Sequence, residues 1–289
     1  MIVSPRYDAE TRAPREPLPP GSCDCHLHVY GDPGKYPHRN PLLRWAPTGT
    51  LDNLQKMHAA LGISRAVLVQ PSAYLADHAL LIDVLKAAPP SNYRGVAVID
   101  DGASDADLRL LHEVGVRAAR FNFWKDLGMA PDLGTFHRSI DRVRDLGWHI
   151  KVFASPDDLV ELSPVLRRVK ITAVLDHMAH LDFSRGLSQP ACRAALELLK
   201  EENWWILLSN GDRSSAGEHP WEDAVAFGRA MYEAAPDRCI WGSDWPHLAY
   251  TKRMPNDADL VELLYRYLPD RQARQRVLVE NPARLYGFG

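Results

Sequence analysis

From Ser22 onward, short apolar or β-branched runs alternate with longer segments whose apolar residues recur every three or four positions. These are the two periods of buried strand and amphipathic helix. The runs predict eight strands, at residues 23–29, 66–69, 95–99, 116–121, 149–153, 171–175, 205–208 and 239–241. Between them, Leu51, Leu54, Met57, His58 and Leu61, and again Leu80, Leu81, Val84 and Leu85, fall on one helical face, with Pro or Gly punctuating segment ends. Eight β–α repeats without an intervening linker predict one distorted (β/α)8 TIM barrel over residues 22–289 rather than two open sheets. Residues 1–21 differ: Pro5, Pro14, Pro17, Pro19 and Pro20 among alternating charges cannot sustain a helix or a central strand, and this segment reads as an arm.

Composition narrows the function classes. A chain of 289 residues, 46% hydrophobic and 25% charged, matches a globular protein with a large core and excludes a disordered or fibrous one. Lys+Arg 34 against Asp+Glu 37 leaves a net charge of −3, so there is no basic surplus for a nucleic-acid backbone. No run approaches the ~18 apolar residues of a membrane helix, and charges and prolines stand where a signal peptide would have its apolar centre. A soluble, cytoplasmic protein with no membrane partner is expected, and a homo-oligomer stays open. Cys23, Cys25, Cys192 and Cys239 are too few and too scattered for a disulfide framework and are expected as reduced thiols.

In a barrel the chemistry gathers at the C-terminal ends of the strands. Those ends carry His26 and His28, Gln70, Asp100 and Asp101, Arg120, His149 or Lys151, His177, Asn210 to Arg213, and Asp244. No dinucleotide glycine fingerprint follows the first strand, and no phosphate loop is present. Strand alternation is expected to put Asp24, His26, His28 and Tyr30 on one face, with Cys23 and Cys25 opposite as packing residues. Two imidazoles pointing the same way can bind a divalent cation or polarise a carbonyl with N–H donors. His177 adds a third, and Asp244, facing them across the mouth, can take a proton from water and return it. The flanking Trp241 and Trp245 are expected to exclude water and raise the Asp244 pKa. His180 and His247 lie beyond strand ends, where loop surface is the plainer reading. Arg120 and Arg213 could clamp a substrate carboxylate bidentately; the structural alternative for Arg120 is an internal salt bridge, for instance with Asp126. Lys151 shares a strand face with His149 and Phe153 and could donate to an anion or be a snorkelling helix-side residue. Gln70, Ser72, Tyr74 and Asp77 could line the substrate or cap the next helix.

DCHLHVYG, VQPSAYLADH, VRAARFNF, VLDHMAHLD and WGSDWPH, in that order, resemble the amidohydrolase superfamily. More narrowly they resemble its lactone-processing branch, typified by 2-pyrone-4,6-dicarboxylate lactonase, with sulfomuconolactone hydrolase and galactarolactone isomerase nearby. The resemblance spans residues 22–289. It implies a distorted barrel in which His26, His28 and His177 engage a metal or the lactone carbonyl, Asp244 is the general base, and Arg120 and Arg213 hold substrate carboxylates. The chain departs from the dicarboxylate lactonase pattern at Lys125 and Asp126, where that pattern has a second arginine, and at Phe153, where it has a tyrosine.

The expected activity is hydrolysis of a small anionic lactone from aromatic or sugar-acid catabolism: Asp244 deprotonates water, and His26, His28 and His177 stabilise the oxyanion. Alternatives are a lactone isomerase using the same site, a mononuclear-zinc amidohydrolase or decarboxylase, and a barrel used for ligand binding alone. No metal is expected to be required, because arginines at two strand ends already supply positive charge; a bound Zn²⁺ would take His26, His28, His177 and Asp244 as ligands. No binuclear centre is expected, since the fifth strand ends in Phe153 without a bridging carboxylate.

Overall fold

The computed structural model describes residues 7–41, 49–125 and 130–289. Eight parallel strands follow one another in sequence order around a barrel: β1 (Cys23–Leu27), β2 (Arg65–Val69), β3 (Tyr93–Val98), β4 (Val116–Asn122), β5 (His149–Phe153), β6 (Ala173–Leu175), β7 (Trp204–Leu208) and β8 (Cys239–Trp241). Every expected strand is present, with no end moved by more than two residues.

Local chemistry starts the connecting helices where the apolar period begins. Thr50 caps α1 (Leu51–Leu61) by accepting the Asn53 N–H, and Ser104 and Asp107 form a reciprocal capping box on α3 (Asp105–Glu113). Pro156 and Pro190 occupy the first turns of α4 (Pro156–Leu166) and α5 (Pro190–Leu199), where the missing N–H costs nothing. α1 buries Leu54, Met57, His58 and Leu61, and α2 (Ala79–Ala87) buries Leu80, Leu81 and Leu85, the faces read from the sequence. Each fully buried leucine contributes roughly 1.5–3 kcal/mol relative to exposure.

Two apolar layers result. The larger lies between sheet and helices and takes one face of each strand, such as Leu68, Phe121, Ile150, Val152 and Leu208. The smaller fills the lower barrel with Cys23, Cys25, Val67, Val174, Leu207 and Ile240, closed from below by Tyr286 and Phe288. Arg94 fastens that plug by donating to the carbonyls of Tyr286, at 3.0 Å, and Gly287, at 2.6 Å.

The closure between β8 and β1 is irregular and sets the site. The Asp244 N–H donates to the His26 carbonyl and the His28 N–H to the Trp245 carbonyl, both at 2.8 Å. A Cβ at Gly242 would sit 2.7 Å from His26 Cβ and from its backbone nitrogen, so only glycine permits this approach. β1 also carries a bulge: Asp24 pairs with Ala66 but Leu27 with Leu68, three steps against two. This corrects the expected face pattern. Cys25 and His26 both point into the barrel, whereas Asp24 points out to the seam. There it accepts hydrogen bonds from the backbone N–H groups of Ser243 (3.0 Å) and His26 (3.2 Å) and from the Ser243 hydroxyl, with His58 Nε2 at 3.3 Å.

The described part of the N-terminal segment lies along α6 (Asp257–Tyr267): Arg12 pairs with Asp259 and Glu262, and the Tyr265 hydroxyl donates to the Pro17 carbonyl at 3.0 Å. Among the described residues, no helix is long and apolar enough to cross a membrane.

Candidate active site

At the upper end of the barrel the backbone leaves ordinary conformations. His177, Met178, Ala179 and His180 have φ of 54°, 49°, 59° and 49°, and Asn210 and Asp244 have 59° and 60°. None is glycine, and such left-handed residues cost of order 1–3 kcal/mol each. The cost falls just beyond β6, β7 and β8, where it turns His177, Asn210 and Asp244 toward a common centre.

That centre is one carboxylate oxygen. Asp244 Oδ1 lies 3.4 Å from His28 Nε2, 3.8 Å from His26 Nε2 and 3.9 Å from His177 Nε2. Its other oxygen accepts a hydrogen bond from Asn210 Nδ2 at 3.0 Å and lies 3.5 Å from Arg213 Nε. The far nitrogens of the rings are held from behind. His28 Nδ1 is 2.8 Å from the Val69 carbonyl, which can only accept, so Nδ1 carries the hydrogen and Nε2 presents a lone pair. His177 Nδ1 is 2.8 Å from the Ser209 hydroxyl.

His26 rests on a buried charge cluster that sequence reading missed. Asp176 is fully buried beneath the mouth, its Oδ2 accepting from Arg120 Nε at 2.9 Å and its Oδ1 lying 3.1 Å from Lys151 Nζ and 3.4 Å from His26 Nδ1. Lys151, also fully buried, has its Nζ 3.0 Å from His26 Nδ1 and donates to the Cys25 carbonyl at 3.4 Å. The internal salt bridge weighed for Arg120 therefore exists, with Asp176 as partner; Asp126 lies outside the described residues. The Arg120 guanidinium also stacks 4.6 Å from the Phe153 ring.

Burial governs the protonation states. It pushes His26 down to about 3, helped by the Lys151 charge, and pushes His180 down to about 4 and His177 well below the usual imidazole range. His26, His177 and His180 are therefore neutral at pH 7. Burial acts upward on Asp244, but the His177 ring and the Arg213 guanidinium, with the other groups facing it, outweigh it and hold the carboxyl well below its ordinary value. The raised pKa expected from Trp241 and Trp245 is thus corrected: the indole of Trp245 packs against Tyr7, with ring centroids 4.8 Å apart, and cationic and N–H groups surround the carboxylate instead.

Other expected residues fall elsewhere. Tyr74 accepts from the Gly31 N–H at 3.2 Å and lines a separate 270 Å³ pocket with Tyr36, Arg39 and Asp77. Gln70 donates to the Leu75 and Asp77 carbonyls, shaping its loop. Asp101 pairs with Arg138 at the surface, and His149 lies low in the barrel against Tyr286, with ring centroids 4.8 Å apart. Lys125 is engaged by Glu161 at 2.6 Å and Asp158 at 3.4 Å. His247 is no loop-surface residue; it is buried and paired with Asp257 at 2.9 Å. His180 also leaves the surface: its ring stands 4.9 Å from His177 and 4.7 Å from Phe153, with Nε2 buried. The spacing DHMAH held the only signal for it, because the left-handed turn that brings His180 beside His177 has no glycine to mark it.

A model of the amidohydrolase family matches residues 23–288. The chain belongs to that family. Among curated relatives of this amidohydrolase are a 4-sulfomuconolactone hydrolase of Rhizobium radiobacter, 34% identical over 93% of this chain and 91% of the relative, and a 2-pyrone-4,6-dicarboxylate hydrolase of Comamonas testosteroni, 33% identical over 96% and 94%. A D-galactarolactone isomerase of Agrobacterium fabrum is 32% identical over 95% of this chain and 94% of the relative. The family read from the motifs is borne out. The described residues also include two groups, His26/His28/Asp244 and His26/Asp176/His177, whose donor atoms lie within 4.8 Å of one another and could hold a metal ion.

Proposed function

We propose that this amidohydrolase hydrolyses a small carboxylated lactone with Asp244 as general base. The observation that carries the reading is the single oxygen of Asp244 set 3.4–3.9 Å from three imidazoles, with Arg213 beside the other oxygen. The two relatives named as lactone hydrolases support the substrate class.

In the reaction, a water between Asp244 and the imidazoles gives its proton to the carboxylate as its oxygen attacks the lactone carbonyl carbon. The carbonyl electron pair moves onto oxygen, and imidazole N–H groups stabilise the oxyanion. Collapse breaks the bond to the ring oxygen, which takes the proton from Asp244 and leaves as the hydroxyl of an open hydroxy acid. A strongly depressed pKa makes a weak base, and Arg213 offers the remedy. A substrate carboxylate drawn to its guanidinium weakens the hold of Arg213 on Asp244 and raises basicity only when substrate is present.

The metal question turns on His26, a member of both candidate groups. Its Nδ1 faces the Lys151 amine at 3.0 Å, so one ring nitrogen is occupied by a hydrogen-bond donor. If Nδ1 accepts from the amine, the ring hydrogen sits on Nε2, the nitrogen a cation at the mouth would need, so on this reading His26 does not fit a resident divalent cation and no step runs through one.

The relative named as an isomerase supports a second reading, in which Asp244 moves a proton within a lactone. A screen of aromatic-degradation and sugar-acid lactones with a pH indicator separates the two, since hydrolysis releases an acid and isomerisation does not. Acid release with at least one anionic lactone, lost in Asp244→Asn, is expected; substrate turnover without acid release would replace hydrolysis by isomerisation.

A further inference from the structure

Lys151 and Asp176 lie below the reacting centre, fully buried and out of reach of a substrate at the mouth, yet both meet His26. A buried lysine paired with a carboxylate can be simple structure. Here the second contact of the amine decides its consequence.

We infer that Lys151 is a positioning residue that fixes His26 as the tautomer with hydrogen on Nε2, making His26 a hydrogen-bond donor at the reacting centre and removing it as a metal ligand. Lys151 Nζ has three neighbours: the Cys25 carbonyl at 3.4 Å, Asp176 Oδ1 at 3.1 Å and His26 Nδ1 at 3.0 Å. The contacts with the Cys25 carbonyl and His26 Nδ1 have hydrogen-bond geometry and that with Asp176 is an ion pair; an ammonium has no lone pair, so its hydrogen bond with Nδ1 is a donation and requires the Nδ1 lone pair. A neutral ring with a bare Nδ1 carries its hydrogen on Nε2. The competing tautomer would direct an Nδ1 hydrogen at the ammonium. Its acceptor, Asp176 Oδ1, is 3.4 Å away and receives no hydrogen bond of acceptable angle.

The consequence appears at the other end of the ring. His26 Nε2 is buried and has no hydrogen-bond partner, with Asp244 Oδ1 at 3.8 Å as the facing acceptor. A buried, unpaired N–H is an oxyanion donor waiting for its acceptor. A bare Nε2 in the same place would be half of a metal site. His28, whose Nδ1 hydrogen is on the Val69 carbonyl, presents the opposite tautomer. The two imidazoles of the H-x-H pair are thus assigned different work, His26 donating and His28 accepting. This deepens the proposed reaction and rests on it for the word oxyanion, but the tautomer stands apart from any substrate.

The test is a neutron crystal structure of the perdeuterated, substrate-free protein, paired with zinc titration calorimetry on wild type and Lys151→Met. Deuterium on His26 Nε2, none on Nδ1, and three on Lys151 Nζ are expected. In Lys151→Met the His26 hydrogen is free to move to Nδ1 toward Asp176, and zinc affinity should rise at least tenfold. Deuterium on Nδ1, or a bare Nε2, overturns the assignment whether or not the protein proves to be a lactonase, and equal zinc affinity in the two proteins overturns the exclusion of metal. Should Lys151→Met fail to fold, the wild-type neutron density decides alone. Failure to turn over any lactone, with the expected deuterium pattern in place, would sink the proposed function and leave this inference standing.

Discussion

Asp244→Asn separates catalysis from structure because the site can accommodate an amide. With its oxygen kept toward Asn210 Nδ2, now 3.0 Å from Asp244 Oδ2, the new NH₂ group faces His28 Nε2, 3.4 Å from Oδ1 and bearing a lone pair. Every hydrogen bond of the carboxylate is then replaced. The ion pair with Arg213 at 3.5 Å is lost, but so is the desolvation cost of a carboxylate whose side chain is only 13% exposed, and these opposing terms largely cancel. A net stability change under about 2 kcal/mol is expected, a shift in Tm of a few degrees for a chain of this size. Loss of a positioned proton-transfer group costs roughly 10²–10⁴ in kcat, or about 3–5.5 kcal/mol in the barrier. KM for an anionic lactone should stay within about threefold, since the freed Arg213 still attracts the carboxylate. Initial rates by pH indicator and a thermal scan measure both quantities. A folded variant keeping more than about a tenth of wild-type kcat would remove Asp244 from the role of base; a Tm lowered by ten degrees or more would refute the cancellation.

Arg213→Met should raise KM for a lactone acid about tenfold or more while leaving that of its methyl ester nearly unchanged; equal effects would make Arg213 a purely structural partner of Leu248, whose carbonyl it holds at 2.8 Å. Gly242→Ala places a Cβ 2.7 Å from the His26 backbone, so β8 must move off β1, costing about 1–3 kcal/mol and most of kcat, and a variant with wild-type Tm and rate would contradict the seam geometry. Burial holds His26 and His149 at about 3 and His180 at about 4 in the folded chain. Unfolded, they bind protons below about pH 6.5, so their stabilising contribution is complete above that pH and lost as pH falls toward 4. Tm should drop steeply between pH 6.5 and 5, and a flat profile there would refute the neutral, buried assignment.

What the sequence made legible was what period and chemistry make local. Eight apolar runs announced eight strands, and the faces of α1 and α2 were read residue by residue, because burial of one stripe leaves its period in the chain. His26, His28, His177 and Asp244 could be placed at one mouth because parallel strands in a barrel must all end there. The face assignment of Asp24 and Cys25 failed for a definite reason. One extra residue in β1 reverses inside and outside for everything before it, and neither glycine nor proline marks the bulge in CDCHL. The result is functional. Asp24 becomes the clamp between His26 and Ser243, holding the strand of the imidazoles against the strand of Asp244.

The charges of the mouth were misjudged in kind rather than in number. Arg120, Lys151 and Arg213 were each candidates to hold a substrate anion, with an internal salt bridge weighed for Arg120, but only burial and partners tell which cation is committed. Asp176 engages Arg120 at 2.9 Å and Lys151 at 3.1 Å, and Asp244 lies 3.5 Å from Arg213. Among these five groups three cations meet two carboxylates, an excess of one positive charge within a buried, weakly screened space. One unbalanced charge is what a monoanionic ligand neutralises. A substrate with two carboxylates would leave the site negative unless it found a further cation, and Lys125 is already held by Glu161 and Asp158. Charge balance therefore favours a lactone with one carboxylate over a dicarboxylate. Matched mono- and dicarboxylate lactones compared by kcat/KM would test this, and a clear preference for the dianion would show that Asp176 or Asp244 is protonated when substrate is bound.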